Sequence, residues 1–169
     1  MSEVSIILPA RNEAANLSAL LPEIRALHPD HEIIVVDDGS SDDTLEVCQR
    51  NDVRCVQHPY SMGNGAAIKT GARHANNGIL VFMDGDGQHN PADIQSLVDE
   101  LDKGYDMAVG ARSASTHASL ARRMANHIYN RLATYMAGHP IADLTSGFRA
   151  VRARHFLRFL YLLPNGFSY

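Results

Sequence analysis

Short apolar runs alternate with segments of helical periodicity along the first two thirds of the chain. The segments between the runs carry apolar residues at three- and four-residue spacing, which is typical of amphipathic helices. Strands joined by helices of this length form right-handed crossovers, so the pattern predicts a mostly parallel sheet flanked by helices. The predicted strands cover residues 4–9, 32–37, 53–56, 79–83 and 106–110, and the predicted helices begin near residues 17, 41, 64 and 91.

The length of 169 residues is sufficient for one domain with a substantial core, and no internal repeat or linker divides the chain. No apolar run reaches about 18 residues, so we expect no membrane-spanning helix. The first residues lack the features of a signal peptide. Cys48 and Cys55 fall on a predicted helix and the next strand, and we expect packed free thiols rather than a disulfide or a metal pair.

Charge is distributed unequally along the chain. Residues 1–109 contain 7 Lys and Arg against 18 Asp and Glu, a net charge of −11. Residues 110–169 contain 8 Arg and a single acid, Asp143, a net charge of +7. Opposite signs suggest that the two parts bind different chemical groups, although an accidental surface distribution would give the same numbers.

Polar clusters follow three of the predicted strands at their carboxyl ends. In open parallel sheets, ligands bind beyond these ends, so the clusters predict one site at one edge of the sheet. The clusters are Pro9-Ala10-Arg11-Asn12-Glu13, Asp37-Asp38-Gly39-Ser40 and Asp84-Gly85-Asp86-Gly87-Gln88.

The third cluster has the composition of a metal site. In an extended segment, residues two apart point the same way, so Asp84, Asp86 and Gln88 can converge on one point. Oxygen ligands of this kind suit Mg²⁺ or Mn²⁺, and the glycines at 85 and 87 would let a diphosphate approach the backbone. Turn formation is the alternative, because Asp and Gly both favour tight turns.

The composition of the second cluster is typical of a nucleoside-binding site. Asp37 and Asp38 at a strand end suit hydrogen bonds to a base edge or to ribose hydroxyls. Capping of the next helix by Ser41 or Asp42 explains the residues that follow, but it does not explain two acids at the strand terminus.

A glycine-rich segment, GNGAAIKT at residues 63–70, is similar to phosphate-binding loops but departs from both common patterns. Ile68 occupies the position where the Walker loop and the dinucleotide fingerprint each require glycine. We expect these glycines to let a helix begin close to a ligand, with Lys69 either near that ligand or solvated.

Five motifs, in this order and spacing, resemble family 2 glycosyltransferases of GT-A type, and among them the dolichyl- and polyprenyl-phosphate sugar transferases. The motifs are SIILPARNE, EIIVVDDGSSDDT, GNGAAIKTGAR, VFMDGDGQHNP and DLTSGFRAVRA. The resemblance implies an α/β, Rossmann-like fold, with a mostly parallel sheet flanked by helices and a nucleotide site at the carboxyl ends of the strands. It also implies a single domain over 1–169, in which 1–109 binds the sugar nucleotide and metal and 110–169 binds the acceptor. Domains of this family usually continue past Tyr169, so we expect the chain to be shortened at its C-terminus.

The resemblance assigns roles to individual positions. It implies a UDP- or GDP-sugar donor, a lipid phosphate acceptor, Mg²⁺ or Mn²⁺ as cofactor and no nucleic-acid partner. The residues implied are Asp84, Asp86 and Gln88 for the metal; Pro9, Ala10, Arg11, Glu13, Asp37, Asp38, Lys69, Asp84 and Gly85 for the sugar nucleotide; Arg112, Arg122 and Arg123 for the acceptor phosphate; and Asp86, Asp143 and Arg149 for catalysis.

Several positions depart from the family pattern or leave two interpretations open. Arg11 replaces a common aromatic residue, although a guanidinium can also stack on a base. Asn126 replaces a serine near the acceptor phosphate, and His89 is expected beside the metal ligands rather than among them. Apolar residues at four-residue intervals over 120–136 predict a helix whose apolar face packs on the core or contacts a prenyl chain or membrane surface.

The expected function is inverting transfer of a sugar from a nucleoside diphosphate to a polyprenyl-type lipid phosphate. A nucleotidyltransferase and an inactive sugar-nucleotide-binding module are the alternatives. We expect the protein in the cytoplasm, at the cytoplasmic face of the membrane, with peripheral membrane contact.

Overall fold

The computed structural model describes residues 4–110 and 146–166. In these residues there are six strands and five α-helices, and strands alternate with helices from β1 to β5. The elements are β1 (Val4–Ala10), α1 (Ala14–Leu27), β2 (Glu32–Asp37), α2 (Thr44–Arg50), β3 (Arg54–Gln57), α3 (Asn64–His74), β4 (Ile79–Phe82), α4 (Ile94–Asp102), β5 (Met107–Val109), β6 (Arg149–Arg152) and α5 (Ala153–Phe159), with short 3₁₀ turns at Pro91–Asp93 and Leu160–Leu162.

The described strands form one sheet in the order β3-β2-β1-β4-β6-β5. Strands β2 and β4 both pair in parallel with β1, and β3 pairs in parallel with β2. Strand β6 runs antiparallel to β4 and to β5, between which it lies. The predicted mostly parallel α/β architecture is therefore confirmed. The sheet pairs β6, from the positively charged residues 110–169, with β4 and β5, from the negatively charged residues 1–109.

Helices cover both faces of the sheet. Successive side chains of a strand point to opposite faces, so each central strand contributes to two clusters of core residues. In β1, Ile6 and Leu8 belong to a core cluster that includes residues of α1, α2 and α4, whereas Ile7 belongs to a second cluster with residues of α3. All three side chains are fully buried. Two-sided burial explains why β1 is a continuous apolar run rather than an alternating one.

The five strands predicted from the sequence are present within about two residues of their expected bounds. The helix expected to begin near residue 91 starts with the 3₁₀ turn Pro91–Asp93, which Asn90 caps: its side chain accepts a hydrogen bond from the N–H of Ala92 at 3.0 Å. Strand β6 and helix α5 were not predicted. The extended conformation expected after β4 is wrong, because the backbone turns at Gly85 and Asp86.

Four of the predicted site residues lie outside the described residues, as does the apolar stripe over 120–136. These four are Arg112, Arg122, Arg123 and Asp143. Among the helices that the structure describes, none has the length and apolarity needed to cross a bilayer.

Candidate functional site

A cleft of about 520 Å³ opens at the carboxyl ends of β1 and β4, the edge of the sheet where the sequence predicts a site. Its walls come from the segments that follow these strands and from the start of α3. The cleft is lined by Pro9, Ala10, Arg11, Glu13, Asp38, Asp84, Gly85 and Asp86, all predicted, and by Ser61, Gly63, Asn64 and Ala67.

The wall that follows β1 is fixed by hydrogen bonds to the segment that follows β2. The N–H of Asn12 donates to Oγ of Ser40 at 2.9 Å, and Oδ1 of Asn12 accepts from the N–H of Ser41 at 2.8 Å. Oδ2 of Asp42 accepts from the N–H of Ala14, the first residue of α1, at 3.0 Å. These bonds hold the backbone of residues 11–13 in place while the side chain of Arg11 remains exposed to the cleft.

The opposite wall carries two carboxylates. Asp84 and Asp86 are partly exposed and line the cleft on either side of the buried Gly85. Oδ1 of Asp86 accepts a hydrogen bond from the N–H of Gln88 at 3.0 Å, which stabilises the turn. The side chain of Gln88 is exposed and is not among the residues that line the cleft.

The carboxylate of Asp84 is held against the segment that leads into β6. A Cβ atom at Gly147 would lie 2.9 Å from Cγ of Asp84, so the absence of a side chain there is what allows the carboxylate its position. Nε2 of His89 lies 3.7 Å from Oδ2 of Asp84, and the His89 ring stacks on Phe148 with 5.1 Å between centroids. His89 thus lies beside Asp84.

Arg149 is placed at the same edge of the sheet by strand register. It is the first residue of β6 and pairs with Phe82, the last residue of β4. Its guanidinium donates to the carbonyl of Ser146. The antiparallel direction of β6 therefore brings the start of this strand to the carboxyl end of β4, next to Asp84.

The acids that end β2 are buried and bonded to the protein. Asp37 is 2% exposed, and its carboxylate accepts from the N–H of Ser40 at 2.8 Å and from Nε2 of Gln57 at 3.1 Å. Asp38 is 5% exposed, although it also borders the cleft.

The carboxylate of Asp38 is surrounded by hydrogen-bond donors. It receives Nδ1 of His58 at 2.7 Å, the N–H groups of Met62 and Gly63 at 2.8 and 2.9 Å, and Oγ of Ser61 at 2.8 Å. Burial alone would raise the pKa of Asp38, but these hydrogen bonds outweigh burial and hold the pKa below its usual value.

Lys69 contacts the end of the described chain. Its Nζ donates to the carbonyl of Leu163 at 2.9 Å and to the side chain of Asn165, and it is not among the residues that line the cleft. The carbonyl of Asn165 in turn accepts from the N–H of Ala66 at 3.1 Å, in the first turn of α3. Both Lys69 and the start of α3 are thus hydrogen-bonded to residues 163–165.

The residues of the cleft fit a hard divalent cation in part. Over residues 4–110 and 146–166, no group of three or more His, Cys, Asp or Glu side chains is arranged to hold a metal. Asp84 and Asp86 nevertheless offer carboxylate oxygens to the cleft, which are the ligands that Mg²⁺ and Mn²⁺ prefer, and Mg²⁺ sites commonly combine one or two carboxylates with substrate phosphates.

Comparison with known proteins identifies the family. The family profile of glycosyl transferase family 2 matches residues 5–159. The chain belongs to glycosyl transferase family 2. The undecaprenyl-phosphate 4-deoxy-4-formamido-L-arabinose transferase of Photorhabdus laumondii is 33% identical to this family 2 chain over 165 residues, which cover 92% of the chain and 50% of that protein.

A second relative of this family 2 chain is the polyprenol monophosphomannose synthase of Mycolicibacterium smegmatis. It is 31% identical over 160 residues, covering 87% of the chain and 60% of that protein. The chain therefore spans 50% and 60% of the length of these two relatives.

Solved structures show the same fold. Mannosyl-3-phosphoglycerate synthase from Rubrobacter xylanophilus has a TM-score of 0.75 at 20% identity, covering 92% of this chain and 54% of that one. Glucosyl-3-phosphoglycerate synthase from Mycobacterium tuberculosis, solved with Mn²⁺ and UDP-glucose, has a TM-score of 0.69 at 25% identity, covering 90% and 57%. The GT-A fold expected from the sequence is thereby confirmed.

The wall formed by the segment before α3 was largely missed by sequence reasoning. Ser61, Asn64 and Ala67 line the cleft, yet the glycine-rich segment at 63–70 was the one local signal that α3 begins near a ligand. His58 and Gly147 carried no local signal, because their roles depend on Asp38 and Asp84, which lie 20 and 63 positions away.

Proposed function

We propose that the protein transfers a sugar from a nucleoside-diphosphate sugar to a polyprenyl-type lipid phosphate, with inversion at the anomeric carbon. The observation that carries this proposal is the cleft at the carboxyl ends of β1 and β4, where Asp84, Gly85 and Asp86 face the segment 9–13. The names of the Photorhabdus and Mycolicibacterium relatives support a polyprenyl phosphate acceptor.

The sugar nucleotide binds, in this proposal, between the two walls of the cleft. Residues 9–13 hold the nucleoside, with the exposed guanidinium of Arg11 available to stack on the base. Asp84 and Asp86 hold Mg²⁺ or Mn²⁺, and a cation there would neutralise charge on the diphosphate as it leaves. Gly85 has no side chain, which lets the turn between these two acids pack against Pro9 and Ala10: a Cβ there would lie 3.3 Å from the carbonyl oxygen of Pro9.

The acceptor needs alignment more than proton removal. A phosphate monoester has a second pKa near ~6, so its oxygen is already anionic at neutral pH. This oxygen forms the new bond to the anomeric carbon while the bond to the diphosphate breaks on the opposite side. We assign Arg112, Arg122 and Arg123 to the acceptor phosphate, because bidentate guanidinium groups suit phosphate. We also assign Asp143 and Arg149 to positions near the sugar and the phosphates.

Membrane association follows from the proposed acceptor. A polyprenyl phosphate resides in a bilayer, and residues 110–169 carry a net charge of +7 that would attract an anionic membrane surface. We therefore propose that the protein works at the cytoplasmic face of a membrane.

Binding of the sugar nucleotide is the first test. UDP- and GDP-sugars are screened by thermal shift with Mn²⁺, with Mg²⁺ and with EDTA. We expect one nucleotide series to raise the melting temperature in a metal-dependent manner, since a ligand that binds only the folded state stabilises it. No stabilisation by any sugar nucleotide would contradict the proposal.

Transfer is the second test, and it uses the full-length protein. Radiolabelled sugar nucleotides are offered to polyprenyl phosphate and to free saccharides, and Arg112→Ala and Arg122→Ala are compared with Arg73→Ala, which removes an exposed arginine of α3. We expect label in the lipid and a loss of about tenfold or more in the first two variants, because a hydrogen bond to a charged group contributes about 1.5–3 kcal/mol. Transfer to saccharides alone would reject the lipid acceptor, and pyrophosphate formation from a nucleoside triphosphate would indicate a nucleotidyltransferase.

A further inference from the structure

We propose that His89 and Phe148 are positioning residues for Asp84, which orient its carboxylate at the cleft and act on the sugar nucleotide through it. The inference rests on the proposed function, because it takes Asp84 to hold the metal of a sugar nucleotide. It extends to Gly110, which packs on Phe148 and lies two positions before Arg112, a residue assigned to the acceptor phosphate.

The imidazole of His89 contacts both Asp84 and Phe148. Nε2 of His89 lies 3.7 Å from Oδ2 of Asp84, and the ring stacks on that of Phe148 with 5.1 Å between centroids and 22° between the planes. A carboxylate only accepts, so the contact favours the tautomer with its proton on Nε2. The separation exceeds a hydrogen bond by about 0.5 Å, which a small rotation of the Asp84 side chain would close.

The two partners differ in exposure, and the histidine is the better shielded of them. The side chain of His89 is 9% exposed, whereas that of Asp84 is 34% exposed. A carboxylate with this much exposure retains rotational freedom unless a neighbour restricts it. The shielded imidazole can restrict it, because its own ring is held by stacking.

The ring of Phe148 is anchored in the core. Phe148 is 4% exposed and belongs to the same core cluster as Met83 and Ile94. Its N–H donates to Oγ of the buried Ser146 at 3.2 Å, and its carbonyl accepts from the N–H of Gly110 at 2.9 Å. The ring therefore has little freedom to move, and it limits the orientation of the imidazole that stacks on it.

Gly110 connects this stack to the beginning of the positively charged part of the chain. It follows β5, whose last residue, Val109, pairs with Arg149 of β6. A Cβ at Gly110 would lie 2.6 Å from Cδ1 of Phe148, so the ring keeps its place only because residue 110 has no side chain. Contacts thus run from Gly110 through Phe148 and His89 to Asp84.

None of the three residues behind Asp84 is among those that line the cleft. His89, Phe148 and Gly110 can therefore influence a ligand of the cleft by orienting Asp84, rather than by touching the ligand. Partners of a metal-binding carboxylate orient it, and replacing them commonly weakens metal binding about 10- to 100-fold.

A purely structural role is the competing explanation. A buried phenyl ring and a stacked imidazole would stabilise the fold whether or not Asp84 binds a cation. The two explanations differ in the Mn²⁺-dependent part of nucleotide affinity, measured where every variant is fully folded. Positioning residues change this part alone, and structural residues do not change it.

His89→Phe separates stacking from the contact with Asp84. It keeps an aromatic ring against Phe148 and removes both ring nitrogens. Dissociation constants of UDP and GDP are measured on the full-length protein by calorimetry, with Mn²⁺ and with EDTA. For the nucleotide that binds the wild type, we expect a rise of about tenfold in Mn²⁺, a change of less than about twofold in EDTA, and a nearly unchanged melting temperature. His74→Phe makes the same change at an exposed histidine of α3 and is the control.

Gly110→Ala tests the contact with Phe148 at the far end of the stack. The added Cβ presses on the phenyl ring, and we expect Mn²⁺-dependent binding to weaken about threefold, with Gly78→Ala as the control because a Cβ there meets no atom within 4 Å. In a His89→Phe background Gly110→Ala should cause no further loss, because residues that act through one another are not additive.

Three results would overturn the proposal. They are an Mn²⁺-dependent affinity of His89→Phe within about twofold of the wild type, an equal loss of affinity in Mn²⁺ and in EDTA, and additive losses in the double variant. If the wild type binds neither nucleotide, the proposed function fails instead, and Mn²⁺ alone is titrated by electron paramagnetic resonance. A dissociation constant for Mn²⁺ that rises about tenfold in His89→Phe then supports the positioning residues, whereas an unchanged constant, or no binding of Mn²⁺ by the wild type, overturns them.

Discussion

Two pairs of acids follow strands that flank β1 on either side, and the protein uses them differently. Asp37 ends β2 and Asp38 follows it; they are 2% and 5% exposed, with carboxylates bonded to the protein. Asp84 and Asp86 follow β4, remain partly exposed and turn their carboxylates toward the cleft. Both pairs follow a buried apolar run, so the strands alone do not determine these roles.

The difference arises from the segments that return to each strand end. The segment 59–63 brings two backbone N–H groups and a hydroxyl to Asp38, which fill its acceptor positions. At the other pair, Gly147 approaches Asp84 without a side chain, so the carboxylate keeps its place at the cleft. A carboxylate satisfied by protein donors supports the fold, whereas one that keeps free acceptor positions can bind a cation.

The largest expected effect is on stability at the buried pair. Asp38→Ala leaves His58 and two backbone N–H groups without their partner, so the free energy of unfolding should fall by about 3 kcal/mol or more. Asp84→Ala should change it by less than about 1 kcal/mol, because Asp84 is partly exposed. Urea unfolding at pH 7 without metal measures both, and equal losses would contradict the comparison.

The next effect concerns metal-dependent binding at the exposed pair. Asp84→Asn and Asp86→Asn should each weaken binding of the nucleoside diphosphate in Mn²⁺ by about 10- to 100-fold and leave unfolding in EDTA nearly unchanged. Calorimetry with Mn²⁺ and with EDTA gives the metal-dependent part. Glu23→Gln, which neutralises an exposed acid of α1, is the matched control. Affinity that neither EDTA nor these substitutions change would show that the two acids hold no metal.

The sequence predicted most of the fold because the relevant signals are local. Apolar runs located β1–β5, and the segments of helical pattern between them located α1–α4. Strand β6 was missed because Arg149–Arg152 has an arginine at each end and only two apolar residues. Its strand character depends on pairing with β4 and β5, across separations that periodicity cannot detect.

The site, like the fold, was predictable where its signals are local. Strand ends are local features, so the lining residues that follow β1 and β4 were found from the sequence, whereas Ser61, Asn64 and Ala67 were not. The separate roles of the two acid pairs were not, because the partners of Asp38 lie 20 to 25 residues away and Gly147 lies 63 positions after Asp84. Assignments to Arg112, Arg122, Arg123 and Asp143 stay predictions.

A smaller effect is expected at the close approach between Gly147 and Asp84. Gly147→Ala places a Cβ 2.9 Å from Cγ of Asp84, and the short carboxylate side chain can turn away. We therefore expect about tenfold weaker Mn²⁺-dependent binding of the nucleoside diphosphate, with the melting temperature nearly unchanged. At Gly78 an added Cβ meets no atom within 4 Å, so Gly78→Ala is the control. Equal affinities in the two variants would mean that Gly147 does not set the position of Asp84.

The smallest effect is the dependence of stability on pH. The hydrogen bonds that outweigh burial lower the pKa of Asp38 in the folded protein below its unfolded value of about 3.9. Asp38 therefore contributes stability that is fully present above about pH 4 and is lost as the pH falls through the lower, folded pKa. Asp38→Asn has no such group, so its free energy of unfolding should fall less steeply than that of the wild type between about pH 5 and about pH 2. Urea midpoints across this range, with Glu23→Gln as a control for the loss of one carboxyl group, measure the difference in slope. Parallel curves for the wild type and Asp38→Asn would mean that the bonds to His58, Met62 and Gly63 do not favour the ionised carboxylate, and the contrast between the two acid pairs would then rest on burial alone.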